Sequence, residues 1–146
     1  MTESFLTPIE EAKIVDAIKF AEKQTSCEIR VHVESYEQSE TIEERAITLF
    51  NELEMHKTDA KNGVILYVAV NLKKFVIYGD EGIHNIVGDA FWNSTRDLIQ
   101  SEFRQENFCE GMIKGILQIA EVMKGHFPWQ EDDVNELSDE ISTGDF

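Results

Sequence analysis

Asn62-Gly63-Val64-Ile65-Leu66-Tyr67-Val68-Ala69-Val70 is the stretch on which the fold turns. An Asn-Gly break followed by an unbroken apolar run, rich in β-branched residues, is what a strand covered on both faces needs. Asn71-Leu72-Lys73-Lys74 is a short polar connection to Phe75-Val76-Ile77-Tyr78, a further strand ending at Gly79. A link that short permits only an antiparallel hairpin. Upstream, Glu28-Ile29-Arg30-Val31-His32-Val33 alternates with period two, so Ile29, Val31 and Val33 face a core and His32 the opposite side.

Helices surround these strands. Thr7-Pro8-Ile9-Glu10 is a capping box with proline at the first helical position, followed by an apolar stripe through Ile14, Val15 and Ile18. Thr41-Ile42-Glu43-Glu44 is a second capping box, followed by Ala46, Leu49, Phe50 and Leu53 at helical spacing. From Asp89, the residues Trp92, Thr95, Ile99 and Phe103 define a third helix, and Phe108, Met112, Ile116, Ile119 and Met123 a fourth. The order α-β-α-β-β-α-α predicts an α/β fold, a three-layer αβα sandwich around a small mixed sheet, with a right-handed parallel crossover between the first two strands. Residues 1–128 form the domain, and 129–146 read as an acidic, solvated C-terminal tail.

At 146 residues the chain has one domain's worth of sequence. No apolar run approaches the ~18 residues of a membrane span, and the N-terminus lacks a basic segment leading into an apolar one. Two cysteines are too few for a disulfide framework. These features predict a cytoplasmic protein. Twenty-nine acids against thirteen bases leave a net charge of −16, with seven of the acids in 131–146. Such a charge repels nucleic acid and anionic membranes and favours divalent cations or a basic protein partner.

Topology gathers part of that charge. Glu28 and Asn62-Gly63 start parallel strands at one sheet edge, and the antiparallel third strand returns Gly79-Asp80-Glu81 there. Asp59 lies just before the second strand and Asp89 just after the third-strand loop. Glu28, Asp59, Asp80, Glu81 and Asp89 are therefore candidate metal ligands, with Asn62, Gly63, Gly79 and Trp92 lining the cleft. Crowded carboxylates repel unless a cation joins them, and hard oxygen donors suit Ca²⁺ or Mg²⁺. The spacing is not that of an EF-hand.

Four ordered segments carry a family resemblance: Ser26-Cys27-Glu28-Ile29-Arg30-Val31, Lys61-Asn62-Gly63-Val64-Ile65-Leu66, Gly79-Asp80-Glu81-Gly82-Ile83 and Val87-Gly88-Asp89. Together with Phe108-Cys109-Glu110-Gly111 they resemble the TPM domain over residues 5–127. This family is named for thylakoid-lumen phosphatase-like and photosystem II repair proteins and a worm receptor-associated membrane protein. The ending Asn135–Ile141 resembles a soluble bacterial branch. The resemblance implies an αβα sandwich with an acidic cleft at the strand edge and divalent-cation binding in some members. By position, Glu28 matches the family's acid at the first strand, Asn62-Gly63 its Asn-Gly turn, and Asp89 its acid after the third strand. Asp80 and Glu81 stand where many members are uncharged, and Lys61 where an acid is common. Many members also carry a leader and a membrane anchor, which this sequence is not expected to have.

Some plant members are described as acid phosphatases. A cysteine-based phosphatase needs an arginine six residues past the nucleophile, yet Val33 and Gly115 occupy those positions after Cys27 and Cys109. There is no Asp-x-Asp after a strand, and the four histidines are scattered, with His56 and His84 flanking the carboxylates. The expectation is a cation-binding domain acting through interaction. The alternatives are a weak metal-dependent phosphomonoester hydrolase and an acidic adaptor for a basic partner.

Overall fold

A computed structural model describes residues 5–37, 40–57, 61–129 and 141–143. Its elements are α1 (Pro8–Glu22), β1 (Glu28–Glu34), α2 (Ile42–Glu52), a 3₁₀ turn (Met55–Lys57), β2 (Gly63–Ala69), β3 (Lys74–Gly79), α3 (Glu81–Arg104), α4 (Phe108–His126) and β4 (Ser142–Thr143). The predicted α-β-α-β-β-α-α order is present, with β4 added at the end. Both capping boxes form as read. The Thr7 and Thr41 hydroxyls accept from the Glu10 and Glu44 amides at 3.1 Å, and each glutamate accepts from its own cap residue's amide.

The sheet has the order β3-β2-β1-β4. β1 and β2 run parallel with Glu28 opposite Gly63, and β2 and β3 run antiparallel with Val64 opposite Gly79. Every residue of β2 is buried, because this strand is central and has helices over both faces. Ile29, Val31, Val33, Val64, Leu66 and Val68 face a large core built with α1, α3 and α4. Ile65, Tyr67 and Ala69 face a smaller core under α2. The unbroken apolar run therefore divides between two cores by strict alternation.

Two features depart from the sequence pattern. The third helix begins at Glu81 rather than at Asp89. Asp80 caps it, and Gly88, at φ 69° and ψ −175°, breaks it into two segments. A glycine at each end of 82–88 reads as a loop, whereas here the second glycine supplies a kink and leaves a helical turn on either side. The other feature is β4, whose Ser142 and Thr143 lie parallel beside His32 and Val33 of β1, with Ile141 packed against the larger core. A two-residue strand is too short to show a period.

Candidate functional site

The end of β3 is tied to the start of β2, because the Asp80 amide donates to the Gly63 carbonyl at 2.9 Å. Beside this junction lies an open cleft of about 470 Å³. Gly79, Asp80, Glu81, Asp89 and Trp92 line it, with His84 on the first segment of α3 and Asn93 and Arg96 on the second. Three of the five candidate carboxylates thus share one concavity.

Each plays a different local part. Asp80 is the N-cap of α3. One carboxylate oxygen, Oδ1, accepts from the Glu81 amide at 2.8 Å; the other, Oδ2, is buried with no hydrogen-bond partner among the described residues. A buried acceptor without a partner is rare and destabilising. Glu81 is the first residue of α3 and is exposed, a position that also suits the helix dipole. Asp89 follows the kink with its side chain 88 % exposed, 3.9 Å from Nε2 of His84. The Tyr78 phenol at the cleft wall titrates above its ordinary range, chiefly because of burial and then because of the Asp80 and Glu81 charges.

Glu28, Asn62 and Gly63 lie outside the cleft lining. Glu28 is buried at the start of β1, its amide donating to the Asn62 carbonyl at 3.3 Å. The Asn62 side chain donates to the Ser26 carbonyl at 3.3 Å, so it staples the entries of β1 and β2 together. A Cβ on Gly63 would stand 3.0 Å from the Met55 carbonyl oxygen; close backbone approach is the reason for glycine there. Asp59 falls outside the described residues. Among the described residues, no three His, Cys, Asp or Glu side chains converge at the spacing of a metal site.

Sequence reasoning passed over Asn93 and Arg96 as cleft residues. Arg96 donates to the Asn93 Oδ1 at 3.0 Å, and with Asp89 they recur at i, i+4 and i+7, one helix face. That spacing was the available signal. Cys27 offers no nucleophile. It is buried, its thiol donates to the Asn62 carbonyl at 3.0 Å, and burial, followed by the charges of Glu28 and Glu22, pushes its pKa far up.

A second polar constellation sits under α2. Glu34 takes a fork from Arg45, Nε to Oε2 at 2.7 Å and Nη2 to Oε1 at 3.0 Å. It also accepts from the Tyr67 hydroxyl at 2.8 Å and meets His32 Nε2 at 3.0 Å. Burial opposes ionisation of Glu34, but hydrogen bonds from Arg45, His32 and Tyr67 outweigh it and hold the carboxyl down to about 2. This cluster uses all its acceptors internally and fastens α2 to the sheet.

The fold has counterparts among known proteins. The BA42 protein from the psychrophilic bacterium Bizionia argentinensis is 48% identical, with 96% of each chain covered and a TM-score of 0.91. The N-terminal domain of a P. gingivalis protein, at 17% identity over 84% of this chain and 79% of that one, shares the fold with a TM-score of 0.70. The N-terminal domain of cg2496 from Corynebacterium glutamicum, 14% identical over 79% and 70% of the two chains, does so at 0.55. No functionally curated protein matches the sequence. The family model of the TPM domain matches residues 2–122, so the chain belongs to the TPM domain family.

Proposed function

We propose that the cleft between β3 and the two segments of α3 binds a divalent cation, Ca²⁺ or Mg²⁺, and that the domain acts by presenting the loaded cleft to a partner. One observation carries this reading: Asp80, which lines the cleft, holds a buried carboxylate oxygen without a hydrogen-bond partner among the described residues. Such an oxygen calls for a cation or a donor, and the neighbouring donors, Glu81 and Asp89, are the hard carboxylates that Ca²⁺ and Mg²⁺ prefer. Asp89 is exposed, so its side chain has room to turn toward Asp80 when a cation draws it in. The residues that would hold the ion are Asp80, Asp89 and Glu81. The net charge of −16 supports a basic protein surface as the partner.

Titration with CaCl₂ or MgCl₂, followed by backbone amide shifts and melting temperature, tests the reading. The amides of Gly79–Asp89 should move first and saturably. The fold should gain about 2.7 kcal/mol at a hundredfold excess over Kd. The double substitution Asp80→Asn and Asp89→Asn should remove both effects. Equal responses to NaCl at matched ionic strength, or shifts confined to residues 131–146, would assign the effect to screening or to the tail.

A further inference from the structure

A second cleft, of about 400 Å³, opens where the β2–β3 turn meets the C-terminal half of α3. Its charge is opposite to that of the chain. Lys73, Lys74, Arg96 and Arg104 line it against a single acid, Glu43, although the protein has only thirteen Lys and Arg in all and a net charge of −16. Two of the cations are committed in part: Lys73 meets Glu106 at 2.7 Å and Arg96 donates to Asn93. Among the described residues, Lys74 and Arg104 make no ion pair.

The cations ring an apolar floor. Leu72, 43% exposed, and the half-buried Phe75 come from the hairpin, and the buried Phe103 comes from the helix. Phe75 and Phe103 pack edge to face, 5.1 Å between centroids, so the floor is firm. Arg96, Gln100 and Arg104 recur every four residues along one face of α3 and form one wall. The opposite wall is the turn, where Lys73 takes the left-handed conformation at φ 53°. Glycine or asparagine is the usual occupant of that conformation. Here a lysine takes it and puts one more cation on the rim.

We propose that this cleft binds a small organic anion, with its phosphate- or carboxylate-type head held by Lys74 and Arg104 and its apolar body on Leu72, Phe75 and Phe103. Guanidinium and ammonium groups around a concave apolar floor make the complementary surface for such a ligand. The ligand is compact for an electrostatic reason. Screening at physiological salt acts over about 8 Å, so an anion inside the cleft meets the local cations, whereas a polyanion reaching past the rim enters the field of a strongly acidic protein.

The test is a phenylphosphonate titration of the full chain in buffer freed of divalent cations by a chelating resin, followed by backbone amide shifts, so that no divalent cation takes part and the result does not depend on cation loading of the acidic cleft. Saturable shifts are expected at Leu72–Phe75 and Gln100–Arg104. The double variant Lys74→Gln and Arg104→Gln removes exposed charges and should keep its melting temperature, while affinity falls at least about tenfold through two lost charge-assisted hydrogen bonds. Inorganic phosphate and benzyl alcohol, each carrying half of the recognition, should bind more weakly than phenylphosphonate. Shifts elsewhere, undiminished binding by the double variant, or equal binding by either half-ligand would overturn the proposal. Tighter binding of oligoglutamate than of phenylphosphonate would assign the cleft to an acidic macromolecule and overturn the compact ligand.

Discussion

The indole of Trp92 lies so close over the α-carbon of Gly79 that a methyl group there would stand 2.6 Å from its Cζ2. This contact seats the second segment of α3 against the end of β3 and sets one wall of the acidic cleft. Gly79→Ala should push Trp92 outward at a cost of about 1–3 kcal/mol, typical of overpacking. In a Trp129→Phe background, urea denaturation should show the loss, and the remaining tryptophan emission should shift to the red. Unchanged stability and emission would mean that the contact gives way freely.

Removing Glu34 should be the most damaging single change on the α2 face. Glu34→Ala strands the Arg45 guanidinium and the Tyr67 hydroxyl beside His32, all of which now spend hydrogen bonds on one carboxylate. Breaking a buried pair from one side costs about 3–5 kcal/mol. A double-mutant cycle with Arg45→Ala should return a coupling well above the ~0.2–1 kcal/mol of exposed pairs. Additive losses would reduce the fork to packing.

Acid should weaken the fold in two stages with the same sign. Burial, outweighing the attraction of Glu34, lowers the His32 pKa from 6.5; Arg45 and Arg30 reinforce the shift. As pH drops below 6.5 the unfolded chain takes up that proton first and stability declines. Glu34, at about 2 in the fold against an ordinary 4.5, adds stability that is present above 4.5 and drains away as pH falls toward 2. Its share is on the order of 2–3 kcal/mol. Melting curves from pH 8 to 3 should show both stages, and Glu34→Gln should flatten the lower one.

Deleting residues 141–146 removes β4 and the half-buried Ile141 that packs on the larger core. A loss of about 1–2 kcal/mol, several degrees in melting temperature, is expected, with faster hydrogen exchange along the β1 edge. An unchanged melting temperature would show that β4 adds no net stability.

Much of the architecture is legible in residues with strong local meaning. Thr7 with Glu10 and Thr41 with Glu44 start helices by caps that need no tertiary context. The run from Val64 to Ala69 could only be a covered strand, and the short link Asn71–Lys74 before Phe75 left only a hairpin. The cleft was harder to read, because backbone position says which edge a residue reaches but not where its side chain turns. Glu28 and Asn62 reach the expected edge, yet Asn62 spends its amide on Ser26, and Glu28 is buried at the entry to β1. Asp80 shows the opposite: one oxygen does ordinary capping, and only the structure reveals that the other is left over. The basic cleft joins a turn to a helix face more than twenty residues further on, a pairing no local pattern announces.

The break at Gly88 divides the acidic cleft between two helical segments. Asp80, Glu81 and His84 ride on the short helical segment, and Asp89, Trp92 and Arg96 on the long one. The gape of this jaw is therefore set by the backbone angles of one joint, at a combination essentially closed to residues that carry a side chain. Beyond its chain neighbours and the adjoining helix backbone, no atom lies within 4 Å of where a Cβ on Gly88 would stand, so torsion rather than crowding keeps glycine there. The distance between the carboxylates on the two arms is a mechanical setting held by a residue with no side chain of its own.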